Sequence, residues 1–118
     1  MKVFLVEDSP LLRTRLEGLL ASIPGTSLVG HATGAQQAID AILAARPDAV
    51  VLDLHLEQGN GFDVMKALQG RLPGLRIYVL TNFPTEPYRR KAESLGARGF
   101  FDKSGEFDKL GASLAAPA

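Results

Sequence analysis

The chain has 118 residues, 46% of them hydrophobic and 22% charged, a composition that predicts one globular domain covering residues 1–118. Lys and Arg together number 13, as do Asp and Glu, so the zero formal net charge gives no support for binding nucleic acid or an anionic membrane. Cysteine is absent, which excludes disulfides, thiol catalysis and thiolate metal sites. The first residues, MKVFLV, form an apolar stretch too short for a signal peptide or a membrane span, and we expect a cytoplasmic protein.

Short apolar runs alternate along the chain with longer segments of helical periodicity. The runs are rich in Val, Ile, Leu and Phe, which predicts strands buried on both faces, as in a parallel sheet. The predicted strands are Val3–Val6, Ser27–Ala32, Ala49–Leu52, Ile77–Leu80 and Ala97–Phe101.

The first two helices have clear start and stop signals. Ser9 followed by Pro10 predicts an N-cap and a first helical residue, and Pro24-Gly25 ends that helix. Thr33 with Gln36 fits a capping box at the start of the second helix. The inward stripes are Leu12, Leu16, Leu19, Leu20 and Ile23 in the first helix, and Ala38, Ile39, Ile42 and Ala45 in the second.

Three more helical stripes follow. Gly96 is placed to end the fourth helix, and Gly111 and the tail 116–118 weaken the fifth. The stripes are Val64, Met65 and Leu68, then Tyr88, Ala92 and Leu95, then Phe107, Leu110 and Leu114. Five strands alternating with five helices predict a doubly wound α/β fold, a three-layer sandwich with helices on both faces of a parallel sheet.

The carboxyl ends of the predicted strands carry polar residues. In a doubly wound sheet the ligand site lies outside these ends. The strand-end residues are Glu7-Asp8, Asp53, Thr81-Asn82 and Asp102-Lys103. Glu7-Asp8, Thr81 or Lys103 alone would be typical of a solvated loop, a turn or the surface, whereas Asp53 fits such a role least well because it ends an apolar run. Within this group, Glu7, Asp8, Asp53, Thr81 and Lys103 place three carboxylates, a hydroxyl and an ammonium at one edge, which indicates a site.

This set of groups suits phosphoryl transfer to a carboxylate. Three crowded carboxylates repel one another, and Mg²⁺ resolves the repulsion. Asp53 ends a near-continuous apolar run, AVVL, and an aspartate can accept a phosphoryl group as an acyl phosphate. Lys103 with Mg²⁺ would supply positive charge, and Thr81 with nearby backbone N–H groups would supply hydrogen bonds. His55 is disfavoured as an imidazole metal ligand, because no second histidine has ligand spacing.

Five motifs occur in order at these strand ends: FLVEDSP, VVLDLHL, NGFDVM, YVLTN and GARGFFDKS. With them, essentially the whole chain resembles a response-regulator receiver domain of two-component signalling, which has the flavodoxin-like fold. The resemblance implies the strand order 2-1-3-4-5. It also implies a phosphorylation-dependent switch, which phosphorylates itself with Mg²⁺ and hydrolyses the phosphate slowly but is not an enzyme with an external substrate.

The resemblance assigns a role to each acidic residue of the site. Asp53 would be the phosphoacceptor, taking the phosphoryl group from a histidine kinase or a histidine phosphotransfer protein. Asp8 and Asp53 would bind Mg²⁺ directly and Glu7 would bind it through water. His55 would contribute its backbone carbonyl to the metal.

The resemblance also assigns the switch. Thr81 would hydrogen-bond a phosphoryl oxygen and Lys103 would pair with it. Phe100 would move inward as Thr81 shifts toward the phosphate. The surface of the fourth helix, fifth strand and fifth helix would then change shape, to be read by a partner or used for a homodimer. We expect no nucleic acid or membrane to bind this domain itself.

The chain departs from the family pattern at several positions. Ser104 and Glu57 stand where many members carry proline, and Phe100 stands in place of a tyrosine. Phe100 has no hydroxyl to bond outside in one state. His55 and Asn82 would line the path of the hydrolytic water.

Three alternatives stay open from the sequence. A haloacid-dehalogenase-like aspartate-nucleophile phosphatase would use the same groups, but it usually has a second Asp where His55 stands. A flavin module would need a Ser/Thr/Gly loop where Glu7-Asp8 follow the first strand. A phosphate-independent docking module would not need the intact set of polar residues.

Overall fold

A computed structural model describes residues 1–116, which form five strands and five helices in strict alternation. The strands are β1 (Lys2–Val6), β2 (Ser27–Ala32), β3 (Ala49–Leu52), β4 (Arg76–Thr81) and β5 (Gly99–Asp102). The helices are α1 (Pro10–Ala21), α2 (Ala35–Ala45), α3 (Gly61–Leu68), α4 (Glu86–Ser94) and α5 (Phe107–Ala115). The last two residues of the predicted 116–118 tail lie outside the described residues. Over residues 1–116, every helix is too short or too polar to cross a membrane.

The strands form one parallel sheet in the order β2-β1-β3-β4-β5, which confirms the predicted fold class and strand order. The pairing register aligns the strand ends: Val6 lies beside Leu52, and Leu52 beside Val79. At the far side of β4, Thr81 pairs with Asp102. The residues that follow these positions are therefore delivered to one edge of the sheet.

The core has two layers, one on each face of the sheet. One layer packs α2, α3 and α4 against side chains such as Leu52, and the other packs α1 and α5 against side chains such as Val51. All four residues of β3 are buried, at no more than 2% exposure. A fully buried aliphatic side chain contributes roughly 1.5–3 kcal/mol, so β3 is a rigid support for the residue that follows it.

The prediction that every strand is buried on both faces is wrong for β2. This strand lies at an edge of the sheet, and Leu28 and Val29 are 36% and 38% exposed. An edge strand has a neighbouring strand on one side only, so the layers of helices cover it less completely than the central strands.

The predicted capping box of Thr33 and Gln36 is also wrong. The N-cap of α2 is Gly34, which makes no side-chain cap bond. The Thr33 N–H donates instead to Gln37 Oε1, and Gln36 Nε2 donates to Asp40 Oδ1. A capping box does occur at α3, where Asn60 and Asp63 exchange side-chain and backbone hydrogen bonds.

Gly61 brings the start of α3 against the end of β3. Its N–H donates to the Leu54 carbonyl at 3.0 Å, which closes the loop that follows Asp53. A Cβ atom at position 61 would lie 2.5 Å from the Asp53 backbone oxygen and 3.0 Å from Leu54 Cα. Both neighbours are backbone atoms, which cannot rotate away. Glycine is therefore required where the loop holding Asp53 meets α3.

Replacement of Gly61 by alanine is expected to lower the free energy of unfolding by about 1–3 kcal/mol, because the backbone must shift to admit a methyl group. Gly18 is the matched control: it is exposed within α1, and a Cβ there would meet nothing within 4 Å. Gly18→Ala should raise the free energy of unfolding by roughly 0.5–1 kcal/mol, since alanine is the better helix former. Urea unfolding measures both changes. A Gly61→Ala protein as stable as the parent would contradict the tight contact at Asp53.

Candidate functional site

Three carboxylates meet at the carboxyl edge of the sheet. Glu7 follows β1 and is 2% exposed, and Asp53 follows β3 and is 4% exposed. Asp8, next to Glu7, is half-buried. One carboxylate oxygen from each of the three residues lies within 4.8 Å of the other two. The structure thus brings Glu7, Asp8 and Asp53 together, whereas the carboxylate of Asp102, at the same edge, accepts hydrogen bonds from Ser104.

Lys103 reaches into this acidic cluster from the end of β5. Its Nζ lies 2.8 Å from Glu7 Oε1 and 2.9 Å from Asp53 Oδ2, and the three side chains are 8%, 2% and 5% exposed. Its backbone N–H donates to the Thr81 carbonyl at 2.9 Å. Buried charges are costly unless they are paired and hydrogen-bonded, and here two carboxylates share one ammonium.

The charges in this cluster shift one another's protonation. Burial raises the pKa of Glu7 above its ordinary value, and the charge of Asp53 adds to the rise against the lowering effect of Lys103. Burial by itself would lower the pKa of Lys103, but hydrogen bonds to Glu7 and Asp53, together with their charges, outweigh it and raise the pKa. Lys103 is therefore held as an ammonium. The site then contains three carboxylates and this one ammonium.

Asp53 has both carboxylate oxygens engaged. Oδ2 contacts the Lys103 ammonium, and Oδ1 accepts the His55 N–H at 3.2 Å. The next turn of the chain is fixed by an isolated bridge between His55 and Asn60. These two contacts hold the carboxylate in one orientation.

The side chain of His55 packs against aromatic rings. Its ring centroid lies 4.5 Å from that of Phe83 and 5.9 Å from that of Tyr88. The group that ties His55 to Asp53 is its backbone N–H, and the metal contact expected of its carbonyl stays a prediction. The sequence reasoning missed Phe83, which is 50% exposed. The available signal was an aromatic residue two positions after Thr81, past the end of β4.

The predicted switch residues are both buried. Thr81 is fully buried, and its Oγ1 accepts the Phe83 N–H at 3.0 Å. Phe100 is 6% exposed and packs in the core layer under α4, with the Arg89 guanidinium 4.8 Å from its ring centroid. The Phe100 ring is therefore buried in this structure. The predicted inward movement of the ring as Thr81 shifts toward the phosphate stays a prediction.

The acidic cluster has the composition of a site for a hard divalent cation. All the clustered donors are carboxylate oxygens, the ligand type that Mg²⁺ prefers. Their negative charge exceeds that of Lys103, which leaves charge for a cation to neutralise. The residues present therefore fit Mg²⁺.

Comparison with known proteins gives relatives over most of the chain. The chain is 38% identical over 103 residues to the DNA-binding transcriptional activator DevR/DosR of Mycobacterium tuberculosis, and the match covers 87% of this chain and 48% of that protein. It is 34% identical over 115 residues to protein-glutamate methylesterase/protein-glutamine glutaminase 1 of Carboxydothermus hydrogenoformans, covering 96% of this chain and 34% of that protein. The chain thus spans half or less of the length of these two relatives.

Solved structures match the fold closely. A two-component response regulator of the LuxR family from Aurantimonas sp. SI85-9A1 superposes with a TM-score of 0.89 at 27% identity, covering 96% of this chain and 81% of that one. The response regulator domain of Thermotoga maritima CheB superposes with a TM-score of 0.84 at 22% identity, covering 97% and 90% of the two chains. At that lower identity the likeness speaks for the fold alone.

A family model described as the response regulator receiver domain matches residues 3–115, which contain the whole charged edge and, apart from Lys2 at the start of β1, all the described strands and helices. The relatives and the solved structures agree with that match. The chain therefore belongs to the response regulator receiver domain family of two-component signalling systems.

Proposed function

We propose that the chain acts as a single receiver unit in which Asp53 accepts a phosphoryl group from a phosphohistidine of a histidine kinase or a histidine phosphotransfer protein. The observation that carries this proposal is the setting of Asp53. Its carboxylate is nearly buried at the end of β3, beside two further carboxylates and 2.9 Å from the Lys103 ammonium. A buried structural aspartate would be satisfied by the lysine alone, without added acidic neighbours.

Asp8 and Asp53 would hold Mg²⁺ directly, with Glu7 acting through water and His55 through its backbone carbonyl. One carboxylate oxygen from each of Glu7, Asp8 and Asp53 lies within 4.8 Å of the other two, which supports a cation shared by the three residues. When bound, Mg²⁺ neutralises charge on the carboxylates and on the incoming phosphoryl oxygens.

In the transfer step, a carboxylate oxygen of Asp53 forms a bond to phosphorus while the phosphorus–nitrogen bond of the donor breaks. The histidine nitrogen keeps the electron pair of that bond. Lys103 would pair with a phosphoryl oxygen, and its nearly buried position makes this charge effective. The Thr81 hydroxyl would donate its proton to a second phosphoryl oxygen, while the hydroxyl oxygen accepts the Phe83 N–H.

The signal would pass from Thr81 to Phe100 and then to α4. Arg89 links these parts, because it belongs to α4 and its guanidinium lies over the Phe100 ring. A change at Phe100 would therefore alter the surface formed by α4, β5 and α5, where a partner or a second copy of the chain would bind. A phosphatase is the weaker reading, since His55 stands where its second aspartate is expected.

Replacement of Asp53 by asparagine is expected to abolish phosphoryl incorporation from acetyl phosphate in the presence of Mg²⁺, because the amide cannot form the acyl phosphate. Asp108→Asn is the control, since Asp108 is an exposed carboxylate in the first turn of α5. Phosphate-affinity electrophoresis measures the modified fraction. Incorporation by Asp53→Asn at the parent rate would refute the assignment.

Replacement of Asp8 by asparagine is expected to raise the free energy of unfolding without Mg²⁺ by about 1 kcal/mol, because it relieves repulsion among the three carboxylates. In the parent protein, Mg²⁺ at about 100 times its dissociation constant should add roughly 2.7 kcal/mol, and Asp8→Asn should lose most of that gain. Urea unfolding with and without Mg²⁺ measures both effects. Equal Mg²⁺ stabilisation of the two proteins would contradict a metal role for Asp8.

A further inference from the structure

The turn between β5 and α5 is closed by a ring of hydrogen bonds around Lys103. Asp102 Oδ1 accepts the Ser104 N–H at 2.9 Å and the Ser104 hydroxyl at 2.8 Å. The Asp102 N–H donates to Glu106 Oε1 at 2.8 Å, and the Glu106 N–H donates back to the Asp102 carbonyl at 3.0 Å. We name residues 102–106 the Asp102 turn. Hydrogen bonds join its first residue, Asp102, to Ser104 in the middle and to Glu106 at the end.

Lys103 is the member of the Asp102 turn that reaches the site. Its N–H bonds to the Thr81 carbonyl, and its ammonium contacts Glu7 and Asp53. A lysine side chain is a flexible stem, so the position of its ammonium depends on where its backbone is held. A displacement of about 1 Å in a charged group at a reacting centre can slow a reaction on the order of a hundredfold. The rigidity of the Asp102 turn therefore bears on the chemistry at Asp53.

We propose that Asp102 is a positioning residue for phosphoryl transfer: its carboxylate holds Ser104 and so fixes the backbone from which Lys103 reaches Asp53. This inference rests on the proposed function of Lys103 at the phosphorylated aspartate. The sequence supplies the matching donor. Ser104 has a backbone N–H and a hydroxyl, whereas a proline at this position, as in many members of the family, has no N–H to give.

The two carboxylates of the Asp102 turn are placed as hydrogen-bond acceptors. The N–H and the hydroxyl of Ser104 lower the pKa of Asp102, which keeps it an ionised acceptor at neutral pH. Lys109 Nζ lies 2.9 Å from Glu106 Oε2 and, with the Asp102 N–H, lowers the pKa of Glu106. The turn thus contains two carboxylates that both accept hydrogen bonds from its own backbone.

Four variants separate positioning from a general loss of structure. Asp102→Ala removes the acceptor, and Asp102→Asn keeps an Oδ1 that can accept both Ser104 bonds. Ser104→Ala removes the hydroxyl bond alone. Asp108→Ala removes one negative charge from the exposed first turn of α5, and it controls for charge.

Two measurements are made on each variant. The first is the rate of Asp53 phosphorylation at saturating acetyl phosphate with Mg²⁺. We expect phosphorylation to be about tenfold slower in Asp102→Ala and roughly two- to threefold slower in Ser104→Ala. The rates of Asp102→Asn and Asp108→Ala should lie within about twofold of the parent rate. The second is the NMR signal of the Lys103 ammonium in ¹⁵N-lysine-labelled, unphosphorylated protein. We expect that signal to persist in Asp102→Asn and to broaden or vanish in Asp102→Ala.

The proposal is overturned if Asp102→Ala keeps the parent rate and the Lys103 signal, or if Asp102→Asn loses as much as Asp102→Ala. If Asp102→Ala does not fold, Ser104→Ala decides, and a parent-like rate and signal in that variant overturn the proposal. If the parent protein itself gains no phosphate at Asp53, the proposed function fails. The Lys103 signal then judges the Asp102 turn alone.

Discussion

One buried ammonium between two buried carboxylates is the constraint on which this structure depends. Lys103 contacts Glu7 and Asp53 at 2.8 and 2.9 Å, and all three side chains are less than a tenth exposed. Ion pairs at such a depth contribute little net stability, because desolvation cancels much of the attraction. The presence of these buried charges is accounted for if they serve chemistry. The fold supplies the rigidity that holds them, through a central strand with no exposed residue and a sheet register that aligns its ends.

In the proposed function, the same charge balance would connect the site with the rest of the receiver. Three carboxylates and one ammonium lie at this edge, and in the proposed function a cation would enter it together with the phosphoryl group. Lys103 would then exchange one anionic partner for another without leaving its buried position. Thr81 and Phe100 lie on the neighbouring strands, and Arg89 joins Phe100 to α4. In the proposed function, a change in charge at the site would reach α4 through Phe100 and Arg89.

The fold and the residues that form the charged edge could be predicted from the sequence. Apolar runs predict the strands and their order follows from the resemblance, because buried parallel strands leave a strong hydrophobic signal. The sequence was insufficient where neighbours in space decide. The exposure of β2 depends on its edge position, and the amide of Ala35 is satisfied by the carbonyl of Gln58 rather than by a predicted cap. The Phe83 ring against His55 and the hydrogen bonds of Asp102 likewise depend on loop geometry that carries no periodic signal.

The central claim is that the carboxylate of Asp53, held by Lys103, accepts the phosphoryl group. The most direct measurement is mass-spectrometric mapping after phosphorylation with Mg²⁺ and borohydride reduction, which converts an aspartyl phosphate to homoserine. The account predicts homoserine at position 53, and no other aspartate or glutamate reduced. Reduction at Asp8 or Glu7, or phosphate retained on a serine, threonine or histidine with position 53 unchanged, would contradict it.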